Sequence, residues 1–282
     1  MSIPDRDSRD EAARYWRTSI CDISPGKIAF RGYPIQELIG AVSFPAMIWL
    51  MLRGELPTAD QARLLEAALV ASVDHGPQAP SIAISRMAVS CGLPLNGAMA
   101  SALNTLDDVH GGAGEQALGL YLDILARMDT GGALQVATAS AIDTWIATHG
   151  KYLPGFGHRF HPVDPRSGKL LALVDEMVGK GVVSGRIAMA ARAVESAMAE
   201  RKGKLIPMNI DGATAVIYGE LGFPPPLSRG VFCLSRAVGI LAHAWEQSSR
   251  GERNKGPMPR SFPFLYEGSD LRAISDQMTI SD

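Results

Sequence analysis

The sequence predicts a mainly α-helical protein, and three observations carry that expectation. Apolar residues recur at spacings of three and four along several segments, the period of a helix buried on one face. No alternation of strands with crossover helices is visible, and there is no internal repeat or low-complexity tract. Glycine and proline gather near 111–114, 154–168, 203–212 and 222–226, where the titratable residues of interest also fall, so helices act as scaffold and these loops as site.

Taken in order, the first element is the weakest. Lys27 to Tyr33 reads as a short strand beside a turn at Pro25-Gly26. Ala41 to Leu52 is the most apolar run. It contains Pro45, stops at Arg53 and is too short to span a bilayer, so it reads as a buried helix. Thr58 with Gln61 makes a capping box after Pro57, opening a helix that carries Leu65, Leu69 and Val73 on one face. Glu115 to Met128 and Leu134 to Thr148 read as two further helices. Ile187, Ala190, Val194 and Met198 define another, with Arg192, Glu195 and Glu200 between them. Gly230 to Gln247 is apolar on most sides and is expected at the centre of the fold.

The chain has 282 residues, 46% hydrophobic and 20% charged, with a net charge of −2. That is enough for one large domain or two modest ones with ample core. There is no basic surplus to attract nucleic acid or a lipid surface, so anionic ligands must be met by local arginines. Cys21, Cys91 and Cys233 form neither a disulfide framework nor a metal spacing, which suits a reduced compartment. Met1 to Arg17 is charged and lacks the apolar core of a secretory signal, so a cytoplasmic setting is expected.

The stretch Pro154-Gly155-Phe156-Gly157-His158 places a histidine on a glycine-flanked loop, where backbone can approach a ligand closely. Eight residues later Arg166 follows an Asp-Pro turn, suited to gripping a carboxylate by two parallel hydrogen bonds. His75 ends an apolar helix in Asp74-His75-Gly76-Pro77. His110 enters a glycine turn and then a helix; an imidazole near a helix N-terminus stays neutral and donates well to a carbonyl. Asp211, in Asn209-Ile210-Asp211-Gly212, lies on a short turn before an apolar segment, where partial burial raises its pKa and makes it a better base. Arg236 lies inside an apolar helix, and a buried arginine is costly unless it meets an anion.

Each has a plain structural reading. A single histidine is more often a satisfied structural residue, Asp211 could cap a helix or form an Asx turn, and Arg236 could pair with a buried carboxylate. His158 and His161 suggest zinc, but they lie on a proline- and glycine-rich loop without a second ligand pair, so no metal is expected. Gly111-Gly112-x-Gly114 lacks the strand and the Gly-Lys ending of a phosphate loop.

Together the residues resemble the citrate synthase superfamily. The His110-Gly-Gly-Ala turn is similar to that family's first catalytic histidine motif, Pro154 to Arg166 to its Gly-x-Gly-His-Arg…Asp-Pro-Arg motif, and Asn209-Ile210-Asp211 to its catalytic aspartate motif. Within that superfamily, Thr18-Ser-Ile-Cys-Asp22, Asp74-His-Gly-Pro77, Asn209-Ile-Asp-Gly212 and Gly239-Ile-Leu-Ala-His243 resemble the citryl-CoA lyase module of ATP-citrate lyase and stand-alone citryl-CoA lyases. His110 departs from that module, which carries an aromatic there, and points back toward citrate synthase.

The resemblance implies an all-α, two-domain fold: a large helical domain over 1–111 and 222–282, and a small one over 112–221 that closes over the cleft. It implies coenzyme A as the acyl carrier, a dicarboxylic or tricarboxylic acid as the other small-molecule partner, and a homodimer. Asp211 would take or return the methyl proton of the thioester, His110 would donate to the thioester oxygen, and His158 would serve the ketone of oxaloacetate. His75, Arg166 and Arg236 would hold carboxylates, with Arg260, or its rival Arg253, reaching across a dimer interface. Gly155, Gly157, Arg159, Lys202 and Lys204 are the candidates for the CoA tail, although the lysines read equally as a solvated helix end. Three functions follow: a citryl-CoA lyase, a short citrate synthase that also hydrolyses the thioester, or a non-catalytic acyl-CoA- or citrate-binding protein.

Overall fold

The structure is a computed structural model, and it describes residues 11, 14–158, 161–259 and 261–272. It is mostly helical. The one sheet is a small antiparallel meander of β1 (Cys21–Ser24), β2 (Lys27–Phe30) and β3 (Tyr33–Pro34), with Ser24 paired to Lys27 across the Pro25-Gly26 turn. The sequence shows the second strand and the turn. It does not show β1, whose residues are almost all exposed and lack the alternation that marks a half-buried strand.

Eleven helices follow among the described residues: α1 (Ile35–Leu38), α2 (Phe44–Arg53), α3 (Ala59–Ser72), α4 (Pro80–Ser90), α5 (Leu95–Leu103), α6 (Ala113–Asp129), α7 (Leu134–His149), α8 (Ser167–Gly179), α9 (Arg186–Lys202), α10 (Ile210–Glu220) and α11 (Pro225–Ser249). Their starts follow local chemistry. Ser43 caps α2, whose second residue is Pro45, and Ala46, Ile48, Trp49 and Leu50 are buried as the apolar run predicts. Thr58 and Gln61 form both bonds of the capping box on α3. Glu220, at the end of α10, accepts hydrogen bonds from the backbone of Gly185, Ile187 and Ala188, the unpaired donors at the start of α9.

Helix α10 is the hub. Every residue from Gly212 to Tyr218 is buried, and it packs against α3, α6, α8 and α9. A helix enclosed on all sides has no amphipathic period, which is why the sequence shows only an apolar segment there. Helix α11 packs on α3, α4, α5 and α6. It is not enclosed as the sequence suggests: one face is buried, while Leu234, Val238, Leu241 and Trp245 are 40–63% exposed. The candidate site forms where the N-terminus of α10 meets the loops before α4, α6 and α8.

Candidate functional site

Two loops are fastened together beneath Asp211. Phe156 pairs with Met208, Gly157 N–H donates to Pro207 O at 2.8 Å, and Asn209 N–H donates to Gly155 O at 2.9 Å. The Asn209 side chain completes the joint. Its Nδ2 donates to Gly157 O (2.7 Å), and its Oδ1 caps α10 by accepting from the backbone N–H of Asp211 (2.9 Å) and Gly212 (3.2 Å). Gly155 takes φ +83°, and a Cβ there would fall 2.7 Å from Gly212 Cα, so glycine is needed for the two backbones to meet. Gly155 therefore has a packing position, while Gly157 lines the adjoining cleft. Asp211 stands in the first turn of α10, half-buried and facing that cleft. Burial raises its carboxyl above the ordinary range, against the pull of Arg236 and Arg166.

Arg166 departs from the sequence expectation. Its Nε and Nη2 make the two parallel bonds, 2.9 Å each, to Asp164 of its own loop, so that edge of the fork is not open to a substrate. The Asp164 side chain is fully buried and also accepts from the N–H of Ile210 at 3.0 Å. Burial alone would raise its pKa. The Arg166 and Ile210 bonds outweigh that and hold it at about 2. Asp164 thus ties the His158 loop to the start of α10.

Three imidazoles converge. His75 stacks on His158, and His161 lies against the same His158 ring with centroids 4.6 Å apart. His161 N–H donates to His158 Nδ1 at 3.1 Å, which places the proton of the neutral ring on Nε2. His110 is held in the opposite sense. Its Nε2 accepts from the backbone N–H of Ser81 at 3.1 Å, so its proton is on Nδ1. Ser81 is in the first turn of α4, and that helix, rather than α6 which follows His110 in sequence, supplies the dipole. Burial, then Arg236, lowers the His110 pKa. Burial, then Arg166, lowers His75; burial, then His161, lowers His158. All three are therefore uncharged at neutral pH.

Arg236 is buried on α11. Its Nε donates to Ser72 O at 3.0 Å and its guanidinium lies 5.0 Å from the Phe232 ring centre. No carboxylate lies within 4 Å of it among the described residues, so its burial is not offset by a close ion pair. The same helix fixes His75. A Cβ on Gly239 would overlap Val73 O, and His243 Nε2 lies 3.3 Å from Asp74 Oδ1 while its Nδ1 faces Arg86 at 3.0 Å. Arg229, also on α11, clamps the His110 turn through Asp107, Asp108 and Glu115. Asn209, Asp164 and Arg229 escaped the sequence reading as positioning groups. His243 was visible only as the end of the Gly239…His243 motif.

Two cavities share His75. One, about 980 Å³, is lined by Asp211, His158 and Gly157, by apolar Phe156 and Met198, and by Lys202 and Lys204. Lys151 joins those lysines and had no sequence signal. The other, about 560 Å³, holds His110, Arg236 and His161. Arg159 and Arg260 lie outside the described residues. Arg253 is exposed.

These features define the class: a mainly helical protein whose cleft gathers a carboxyl of raised pKa, uncharged imidazoles and the guanidinium of Arg236. A family model described as citrate synthase, C-terminal domain, matches residues 11–63 and 59–258. The chain belongs to the citrate synthase family. It is 31% identical over 250 residues to the citrate synthase of Haloferax volcanii, covering 87% of this chain and 62% of that protein. Among solved structures it resembles citryl-CoA lyase from Hydrogenobacter thermophilus, with a TM-score of 0.80 and 30% identity over 92% of this chain and 97% of that one. It shares the fold of ATP citrate lyase from Methanothrix soehngenii, solved with citrate and coenzyme A, at a TM-score of 0.72 and 21% identity over 99% of this chain and 46% of that one. The chain spans about half to three fifths of the length of the curated citrate synthases it matches.

Proposed function

We propose that the chain interconverts citryl-CoA with acetyl-CoA and oxaloacetate, as a citryl-CoA lyase. The observation that carries the reading is the meeting of Asp211, His158 and His75 at the junction of the two cavities. The larger one fits an acyl-CoA: its lining includes apolar side chains, the Asp211 carboxyl as the catalytic group, and Lys151, Lys202 and Lys204 for phosphates. The smaller one fits the acid, with Arg236 and His75 for carboxylates and a share from the remaining edge of Arg166.

In the joining direction Asp211, as carboxylate, takes a methyl proton from the thioester. His110 Nδ1–H donates to the thioester oxygen as the enolate forms, and His158 Nε2–H donates to the ketone. In cleavage Asp211 starts protonated and delivers its proton to the acetyl carbon, a state that its raised pKa favours. The hydroxyl proton must then go to His158 Nε2. The tautomer held by His161 N–H has no lone pair there, so cleavage calls for the opposite tautomer with that bond opened.

A short citrate synthase is the second reading, favoured by His110, whose fixed Nδ1–H suits the synthase arrangement. Both readings include a two-domain division at 1–111 with 222–282 and at 112–221, closing over the cleft. A homodimer belongs to the same proposal, supported by the apolar stripe on α11. So does a cytoplasmic setting, supported by three free thiols; no helix among the described residues is long and apolar enough to cross a membrane. The test is mass-spectrometric analysis after mixing the protein with citryl-CoA. Acetyl-CoA and oxaloacetate establish the lyase, citrate and CoA the synthase. Unchanged citryl-CoA rejects both.

A further inference from the structure

The cavity around Arg236 contains one histidine to which the reading above gives no task. His161 lines it together with His75, His110 and Arg236. Its backbone N–H is spent on His158 Nδ1, which anchors the residue. Its ring lies 4.6 Å from the His158 ring, tilted by 37°, and neither ring nitrogen has a hydrogen-bond partner among the described residues. The acid, by contrast, brings more carboxylates than the arginines can serve. Arg236 is buried with no carboxylate partner among the described residues, but Arg166 has its Nε–Nη2 edge committed to Asp164. A dicarboxylic acid therefore has use for another donor, and His161 lines this cavity beside His75 and Arg236.

We propose that His161 is a specificity-determining contact of the acid site, its imidazole N–H donating to the carboxylate that lies away from Arg236. This rests on the assignment of that cavity to the acid. It separates two roles of one residue: the backbone fixes the tautomer of His158, and the side chain selects the acid. Truncating the side chain leaves the backbone bond in place, so the roles can be tested apart.

The experiment is calorimetric titration of citrate, and separately of coenzyme A, into the full chain and its His161→Ala and His161→Asn variants. The expected result is citrate bound about tenfold or more weakly by His161→Ala, the loss of one hydrogen bond to a charged group. Binding should be largely restored by His161→Asn, which keeps a donor, and coenzyme A affinity should be unchanged in both. Equal citrate affinity in His161→Ala overturns the inference and leaves the acid-site reading intact. Loss of both ligands in His161→Ala shows a structural role and overturns it as well. Failure of the parent chain to bind citrate rejects the acid-site reading, and this inference with it.

Discussion

The imidazoles of His75 and His158 stack with centroids 5.2 Å apart and planes 11° from parallel. They come from loops 83 positions apart, between α3 and α4 and ahead of α8. His75 lines both cavities and His158 the larger one, so the stack marks the place where the lysine-rimmed cleft meets the Arg236 cavity. Asp211 lines the same larger cavity as that pair.

Replacing Asp211 by Asn removes the group that moves the proton on carbon while keeping the shape of the helix start. Turnover of citryl-CoA should fall by about 10²–10⁴-fold, with an unaltered circular dichroism spectrum. Parental turnover by the variant contradicts the assigned role.

The same residue sets a pH dependence. Its folded pKa is raised by burial, so between the unfolded value of about 3.9 and the folded one the native state holds the extra proton. Stability is lost as pH rises through that interval. Asp211→Asn should therefore melt above the parent at neutral pH and level with it below about pH 4. Cleavage, which needs the protonated acid, should slow as pH rises through the folded pKa, and condensation should speed up. Thermal melts and rates in both directions across pH check both statements.

His110→Phe removes one oxyanion donor. The expected loss is about 10²–10³-fold in turnover, with measurable cleavage remaining because Asp211 and His158 are untouched. Complete loss would mean that the thioester oxygen depends on His110 alone.

Arg236→Met should separate binding from stability. The buried guanidinium has no carboxylate partner among the described residues, so an apolar side chain of similar length removes a desolvation cost. The variant should melt no lower than the parent and yet bind citrate about tenfold to a hundredfold more weakly. Unchanged citrate affinity contradicts the anion-binding role.

Gly239→Ala tests whether α11 holds the His75 loop. The added methyl would overlap Val73 O, a backbone atom that cannot yield without moving His75. The predicted cost is about 1–3 kcal/mol in stability, with weaker citrate binding, measured by denaturant unfolding and calorimetry. A variant with parental stability and affinity would show that the loop is held otherwise.

Much of the site was legible because its residues carry local signals. Gly155 and Gly157 announce an unusual backbone around His158, and both take positive φ. A helix cap is expected near Asp211, and the cap is its neighbour Asn209, whose side chain accepts from the backbone of Asp211 and Gly212. What the sequence hid is non-local. Nothing around Arg166 says that Asp164 uses its fork, because Asp-Pro-Arg reads equally well as a turn that presents the arginine. Nothing around His110 says that its ring reaches Ser81, 29 positions earlier. Helices α4, α5 and α8 escaped because small and buried residues blur their period, and α10 because it is buried all round.

The central claim is that this site breaks the bond between the hydroxyl-bearing carbon and the acetyl carbon of citryl-CoA, with Asp211 delivering the proton. The most direct measurement is product analysis by mass spectrometry after incubating the chain with citryl-CoA in heavy water. The account predicts oxaloacetate and acetyl-CoA carrying a single deuterium in the methyl group, both formed about 10²–10⁴-fold more slowly with Asp211→Asn. Unlabelled acetyl-CoA, or product formation undiminished in Asp211→Asn, would contradict it.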